Sequence, residues 1–279
     1  MNKFYILISL IAFNIHTADL KPYESSYQPL PYTNTIFKNA NIYDGDGNKF
    51  VETDIIIQNG KIIAIGKDLP KSNNLKIVDA TDKWITPGII DIHSHMGVYP
   101  APSVKTSSDG NEATSPVTAE VWAEHSIWTQ DPQFALALKG GVTTFHVLPG
   151  SANLIGGRGV TAKNLQRNTI NSMKFPNAPH SLKMACGENP KRVYGSRGQA
   201  PSTRMGNIAG YRKSWIKAES YLSKLDEYEA KSDEAKELSY KPVRDLELET
   251  LAGVLRGDIL VHNHCYRADE MAMMIDVAK

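Results

Sequence analysis

Cysteine is scarce in this chain: Cys186 and Cys265 are the only two in 279 residues. That excludes a disulfide-stapled scaffold and a multi-cysteine zinc module. Standing 79 positions apart, the two are expected to sit buried and unpaired. An excess of one charge is also missing. Lys and Arg total 31 against 30 Asp and Glu, a net charge of +1. That argues against a nucleic-acid binder held by bulk charge. Long apolar runs are absent too. The longest, residues 4–13, is half of the roughly 20 residues a membrane-spanning helix needs, so no membrane span is expected. There is no internal repeat and no low-complexity tract. Hydrophobic residues at 41% and charged residues at 22% describe an ordinary globular chain.

The apolar run has a leading Lys3 and polar residues from Asn14 onward. This pattern fits a cleaved secretory signal over residues 1–18, with Ala18 at the cleavage point. A periplasmic or secreted address follows as an expectation. Residues 19–32, with Pro22, Pro29 and Pro31, read as an extended linker.

Residues 33–83 have β texture. Asp54–Gln58 and Lys61–Ile65 flank Asn59-Gly60, a strong short hairpin signal. Asp44-Gly45-Asp46-Gly47 marks another turn. From Trp84 the texture changes. Near-continuous apolar strands are predicted at 84–92, 141–147, 181–185 and 258–261, and such strands are buried on both faces, as in parallel sheets. Helices are expected between them, at 116–130, 132–139, 211–236 and 246–256. The charged 211–236 stretch reads as a solvated face. Alternation of strand and helix implies an α/β architecture.

The strand from Trp84 ends in Asp91-Ile-His93-Ser-His95. Residues two apart on a strand point the same way, so both imidazoles project together. Neutral imidazole is a good ligand for zinc. His146 ends a second strand, Lys183 lies inside a third, and Val261-His262-Asn263-His264 ends a fourth. The Gly-rich run 150–159 reads as a loop. No Gly-Lys-Ser/Thr follows, which weakens a phosphate-cradle reading and leaves Arg158 as a candidate for a substrate carboxylate. Arg204 is a weaker candidate for the same role. His125 and His180 read as structural.

Val78-Asp-Ala80, Ile85-Thr-Pro-Gly-Ile-Ile-Asp-Ile-His-Ser-His95, Gly140-Gly-Val-Thr-Thr144, Pro149-Gly-Ser-Ala-Asn153, Gly187-Glu-Asn-Pro-Lys191 and His264-Cys-Tyr-Arg-Ala-Asp-Glu270 carry a resemblance. Together they resemble the amidohydrolase superfamily, in its imidazolonepropionase-related, secreted or periplasmic branch. The resemblance implies a (β/α)8 TIM-type barrel with a small N-terminal β-sandwich, the barrel starting at residue 84 and running to 279 as about strands 1–5. It implies one or two divalent ions, zinc first, held by His93, His95, Lys183 and His264. Lys183 would serve as a carbamate, or Glu188 as the alternative bridging acid. His146, Arg158 and Glu188 are the candidate substrate contacts. The resemblance also places a further histidine and a general-base aspartate beyond residue 279, so the chain resembles an N-terminal portion, inactive as it stands. The activity implied is metal-dependent hydrolysis of an amide or cyclic amide. The rivals are an Xaa-Pro-type or other dipeptidase of the same superfamily and a degenerate, non-catalytic barrel. A small-molecule or dipeptide substrate is expected, and an oligomer is compatible with the fold.

Overall fold

The computed structural model describes residues 23–279. The expected secretory signal and the start of the linker lie outside the described residues. The chain is mixed α/β and is organised around two five-stranded sheets.

The first sheet contains β1 (Thr35–Tyr43), β2 (Lys49–Gln58), β3 (Lys61–Gly66), β4 (Lys76–Asp79) and the short β5 (Trp84–Ile85). Its order is β3-β2-β1-β4, with β5 also pairing β1. Asn59 and Gly60 have φ of 51° and 74°, the left-handed pair that a two-residue hairpin needs, so the Asn-Gly signal is realised. At the other turn the Asp44 carboxylate accepts from the amides of Asp46 at 2.8 Å and Asn48 at 3.1 Å. Alternation gives the sheet two apolar faces. Ile36 and Ile56 pack with Leu75 on one, and Ala40, Ile42 and Ile55 with Ala80 on the other. A sandwich was expected here; the described residues form one sheet with a small apolar cluster on each face.

The second sheet has the order β10-β9-β8-β7-β6. Its strands are β6 (Ile89–Ser94), β7 (Val142–Val147), β8 (Ile155–Lys163), β9 (His180–Ala185) and β10 (Ile259–His264). β6 pairs β7 in parallel and β9 pairs β10 in parallel, while β8 runs antiparallel to both of its neighbours. Helices α1 (Pro132–Lys139), α2 (Glu188–Gly195), α3 (Arg204–Glu229), α4 (Asp233–Glu237), α5 (Leu246–Leu255) and α6 (Ala268–Val277) fill the connections. Leu154, Leu182, Met184, Tyr211 and Leu251 form the largest core, between the sheet and α3 and α5. None of the helices among the described residues is long and apolar enough to cross a membrane.

Four expectations are corrected. The apolar run at 84–92 is two strands in two sheets, because Pro87 has no amide to donate and breaks the ladder. The 116–130 stretch is not a helix. Its backbone bonds to β8 instead, Thr118 N–H to the Ile155 carbonyl at 2.9 Å and Arg158 N–H to the Val121 carbonyl at 2.8 Å, with only a short 3-10 turn at Ala123–His125. The Gly-rich run 150–159 is a loop only to Leu154; the rest begins β8. Cys186 and Cys265 are disulfide-bonded, because the parallel register of β9 and β10 sets Ala185 opposite His264 and so brings the next residues together, Cα to Cα 5.1 Å.

Candidate metal centre

Register decides which side chains share a face. Lys183 stands opposite His262 and Ala185 opposite His264 between β9 and β10, so Lys183, His262 and His264 lie on one face. Asn263 points to the other, into an apolar groove with Met184 and Val261, as its position in His-Asn-His predicts. On β7 and β8, His146 stands opposite Thr161. His146 Nε2 lies 2.6 Å from Ser181 Oγ on β9, and its Nδ1 lies 2.8 Å from Thr161 Oγ1. It therefore faces the same side as Lys183.

Lys183 is 1% exposed, and its Nζ lies 2.9 Å from His93 Nε2, across from β6. No carboxylate pairs with it among the described residues. Burial lowers its pKa to about 8. His93 is lowered to about 4 by burial first, then by Lys183, His95 and His264. His95 and His264 are lowered by burial and Lys183, although the bond to the Leu148 carbonyl opposes the shift at His95. His262 follows for the same two reasons. His146 is lowered to about 4 by burial and its neighbour His262, whose ring stacks on it at 4.9 Å between centroids. Five imidazoles on this face are therefore neutral at pH 7, the state in which a nitrogen lone pair is available.

Besides His146, two of the rings are held by hydrogen bonds. His95 Nδ1–H donates to the Leu148 carbonyl at 2.8 Å, which assigns the proton to Nδ1 and frees Nε2. His264 Nδ1 lies 2.5 Å from Ser151 Oγ, in the loop after β7. The His93 and His95 rings sit 5.2 Å apart.

The donor chemistry suits a divalent cation: uncharged imidazoles gathered around a buried amine that lacks a counter-ion. Among the described residues, no three His, Cys, Asp or Glu side chains converge closely enough to hold an ion by themselves.

The other candidates are placed elsewhere. Arg158 stands opposite Leu182, on the reverse face of the sheet from Lys183, and is buried with its guanidinium 4.2 Å from the Trp122 ring. It does not line the face that carries the histidines. Arg204 is held by Glu270, Nε to Oε1 2.5 Å, and Glu270 is itself buried. Glu188 opens α2, exposed, just past the end of β9. Both nitrogens of His146 are occupied by hydroxyls, which leaves none for a substrate. His125 lies in the short 3-10 turn, away from the cluster, and His180 is the first residue of β9 rather than a residue ahead of it. Sequence reasoning missed Ser151, although its loop follows directly from a strand whose C-terminal end carries the site.

No family model matches the chain. An amidohydrolase structure from Thermotoga maritima superposes with a TM-score of 0.78 at 38% identity, over 88% of this chain and 61% of that one. The chain belongs to the amidohydrolase superfamily. A curated relative, amidohydrolase tasK of Hapsidospora irregularis, is 34% identical over 241 residues, which is 80% of this chain and 24% of that protein. A dihydroorotase of Ligilactobacillus salivarius is 41% identical over 63 residues, 22% of this chain and 14% of that one. This amidohydrolase chain thus spans about a quarter of tasK and about three-fifths of the Thermotoga protein.

Proposed function

We propose that this chain forms the metal-holding wall of a hydrolase that cleaves carbon–nitrogen bonds in an amide or cyclic amide. One observation carries the reading: Lys183, buried without a carboxylate, meets His93 at 2.9 Å on the face that also presents His95 and His264. An isolated buried ammonium is costly. Carbamoylation resolves the cost: the free amine adds to carbon dioxide, one proton leaves, and the product is an anionic oxygen donor. Glu188 is the alternative acid at the same strand end.

In this reading the co-directional strands β6, β7, β9 and β10 of the second sheet belong to a (β/α)8 barrel, with β8 inserted antiparallel among them, and the first sheet is its β-sandwich portion. The likeness to the Thermotoga structure supports it. Barrels of this kind keep their chemistry at the C-terminal ends of the strands, where His93, His95 and His264 stand. Those three, with Lys183, would hold a divalent ion, zinc in the first instance. When bound, such an ion polarises a carbonyl and lowers the pKa of a coordinated water toward neutrality. This chain's own contribution is to keep the imidazoles uncharged, to fix the His95 proton on Nδ1, and to place the ligands on paired strands. The substrate is proposed to be a small molecule or dipeptide.

Secretion to an oxidising compartment is proposed as well. The residue pattern of the N-terminal run and the Cys186–Cys265 disulfide support it. N-terminal sequencing of the exported protein checks it, with a start near residue 19 expected and an intact Met1 overturning it.

The test of the metal reading is zinc affinity measured by competition with a chromophoric chelator. His93→Ala and His264→Ala are expected to weaken binding at least tenfold. Unchanged affinity in both variants overturns the reading.

A further inference from the structure

We propose that Ser151 is a positioning residue for His264: its hydroxyl oxygen accepts the His264 Nδ1–H and so presents Nε2 as the free lone pair. This inference rests on the metal-site reading above.

The contact joins the loop after β7 to the end of β10, residues 113 apart in sequence, with Ser151 Oγ 2.5 Å from His264 Nδ1. Ser151 is the hydrogen-bond partner of that ring among the described residues. His264 ends β10, an edge strand, so only β9 holds it from the side. A terminal imidazole on an edge strand is free to rotate about both side-chain torsions unless something tethers it. On His95 the tether is a backbone carbonyl, which can only accept, and it fixes the proton on Nδ1. Ser151 offers the matching acceptor to His264. Metal-bound histidines usually donate their other ring N–H in this way, and removal of the acceptor weakens affinity about 10–100-fold.

A tether works only if its own anchor is stiff, and this loop is clamped. The Ala152 amide donates to Asn111 Oδ1 at 3.0 Å, and the Gly150 amide to the Gly110 carbonyl at 2.6 Å. The Asn153 side chain donates to the Glu112 carbonyl and to Thr118 Oγ1, both at 2.7 Å. Its carbonyl oxygen accepts from the buried Tyr194 hydroxyl at 2.6 Å. A side chain at Gly150 would collide with Asn111 and Tyr99, its β-carbon falling 2.4 Å from Asn111 Nδ2. Loop residues on both sides of Ser151 are therefore fixed, and its hydroxyl is held against the His264 ring.

The experiment uses the full chain and four proteins: wild type, Ser151→Ala, Ser151→Thr and His264→Ala. Two quantities are measured, zinc affinity by chelator competition and the His264 tautomer in the metal-free protein by long-range 15N–1H correlation NMR. Wild type is expected to show His264 protonated at Nδ1. Ser151→Ala is expected to lose that single tautomer and to bind zinc about tenfold more weakly. Ser151→Thr, which keeps the hydroxyl, is expected to restore both. An unaltered tautomer in Ser151→Ala overturns the proposal, as does a zinc affinity within twofold of wild type while His264→Ala loses binding. If His264→Ala itself binds zinc as wild type does, the metal reading has failed, and the tautomer measurement alone then decides the role of Ser151.

Discussion

In the first sheet, the buried carboxylate of Asp54 is surrounded by donors: the Lys38 amine, the Asn39 amide at 3.0 Å and the Leu69 amide at 2.9 Å. In the second sheet, the buried amine of Lys183 is surrounded by other bases. Asp54 and Lys183 are both 1% exposed. Burial alone raises the Asp54 pKa, but Lys38 and the two amides outweigh it and hold the carboxyl below its usual range. At Lys183 nothing offsets burial, and the amine falls to about 8. A satisfied buried charge is a structural element. An unsatisfied one, kept among neutral imidazoles, marks a candidate functional site.

The sharpest way to break the comparison is to remove the satisfied charge. Asp54→Ala leaves Lys38 and two amides without their acceptor and is expected to cost about 3–5 kcal/mol in urea unfolding. The same interaction has a pH signature. The unfolded carboxyl titrates near 4 and the folded one lower, so the stability from Asp54 is complete above about pH 4 and is lost as pH falls through the folded value. If wild type loses no more stability than Asp54→Asn does on acidification, the account of Asp54 is wrong.

Next in size is the covalent tie that only the second sheet has. Reducing Cys186–Cys265 frees a long loop and is expected to lower stability by about 2–4 kcal/mol, read from denaturant midpoints with and without reductant. An equal shift in a Cys186→Ser, Cys265→Ser double variant would show that the reductant acts elsewhere.

Lys183→Met tests the contrast from the opposite side. It removes a buried charge that has no counter-ion, so the metal-free protein is expected to gain about 1–3 kcal/mol while zinc binding is lost. Destabilisation of the size seen for Asp54→Ala would mean that Lys183 has a structural counter-charge after all. The smallest effect belongs to the exposed pair Arg256–Asp226, 2.8 Å apart. Arg256→Ala is expected to change stability by less than about 0.5 kcal/mol.

Much of this was legible in residue order. The 59–60 hairpin, the helix at 132–139 and the four strands bearing His93, His146, Lys183 and His264 follow from local patterns. What was hidden depends on neighbours distant in sequence. Residues 116–130 have helical composition, but β8 takes their backbone bonds. The glycines at 157 and 159 suggest a cradle for phosphate; in the fold they allow close packing, since a β-carbon on Gly159 would fall 2.6 Å from Ser181 Oγ. Arg158, between them, is thereby committed to the reverse face. The cysteine pair was hidden because spacing says nothing of register. Once Ala185 and His264 are known to be opposite, Cys186 and Cys265 are the next pair along.

The antiparallel course of β8 also orders the assembly of the molecule in time. β7, β8 and β9 follow one another closely in the chain and pair as neighbours, so their contacts close short loops. β10 reaches β9 only after α2, α3, α4 and α5 have been laid down between them. Contacts of long sequence separation form late, because the entropy of closing the loop is met before any pairing compensates it. His264 thus arrives after His95, His146 and Lys183 are in place. The last strand to dock is therefore the one that brings His264 to the face already bearing Lys183.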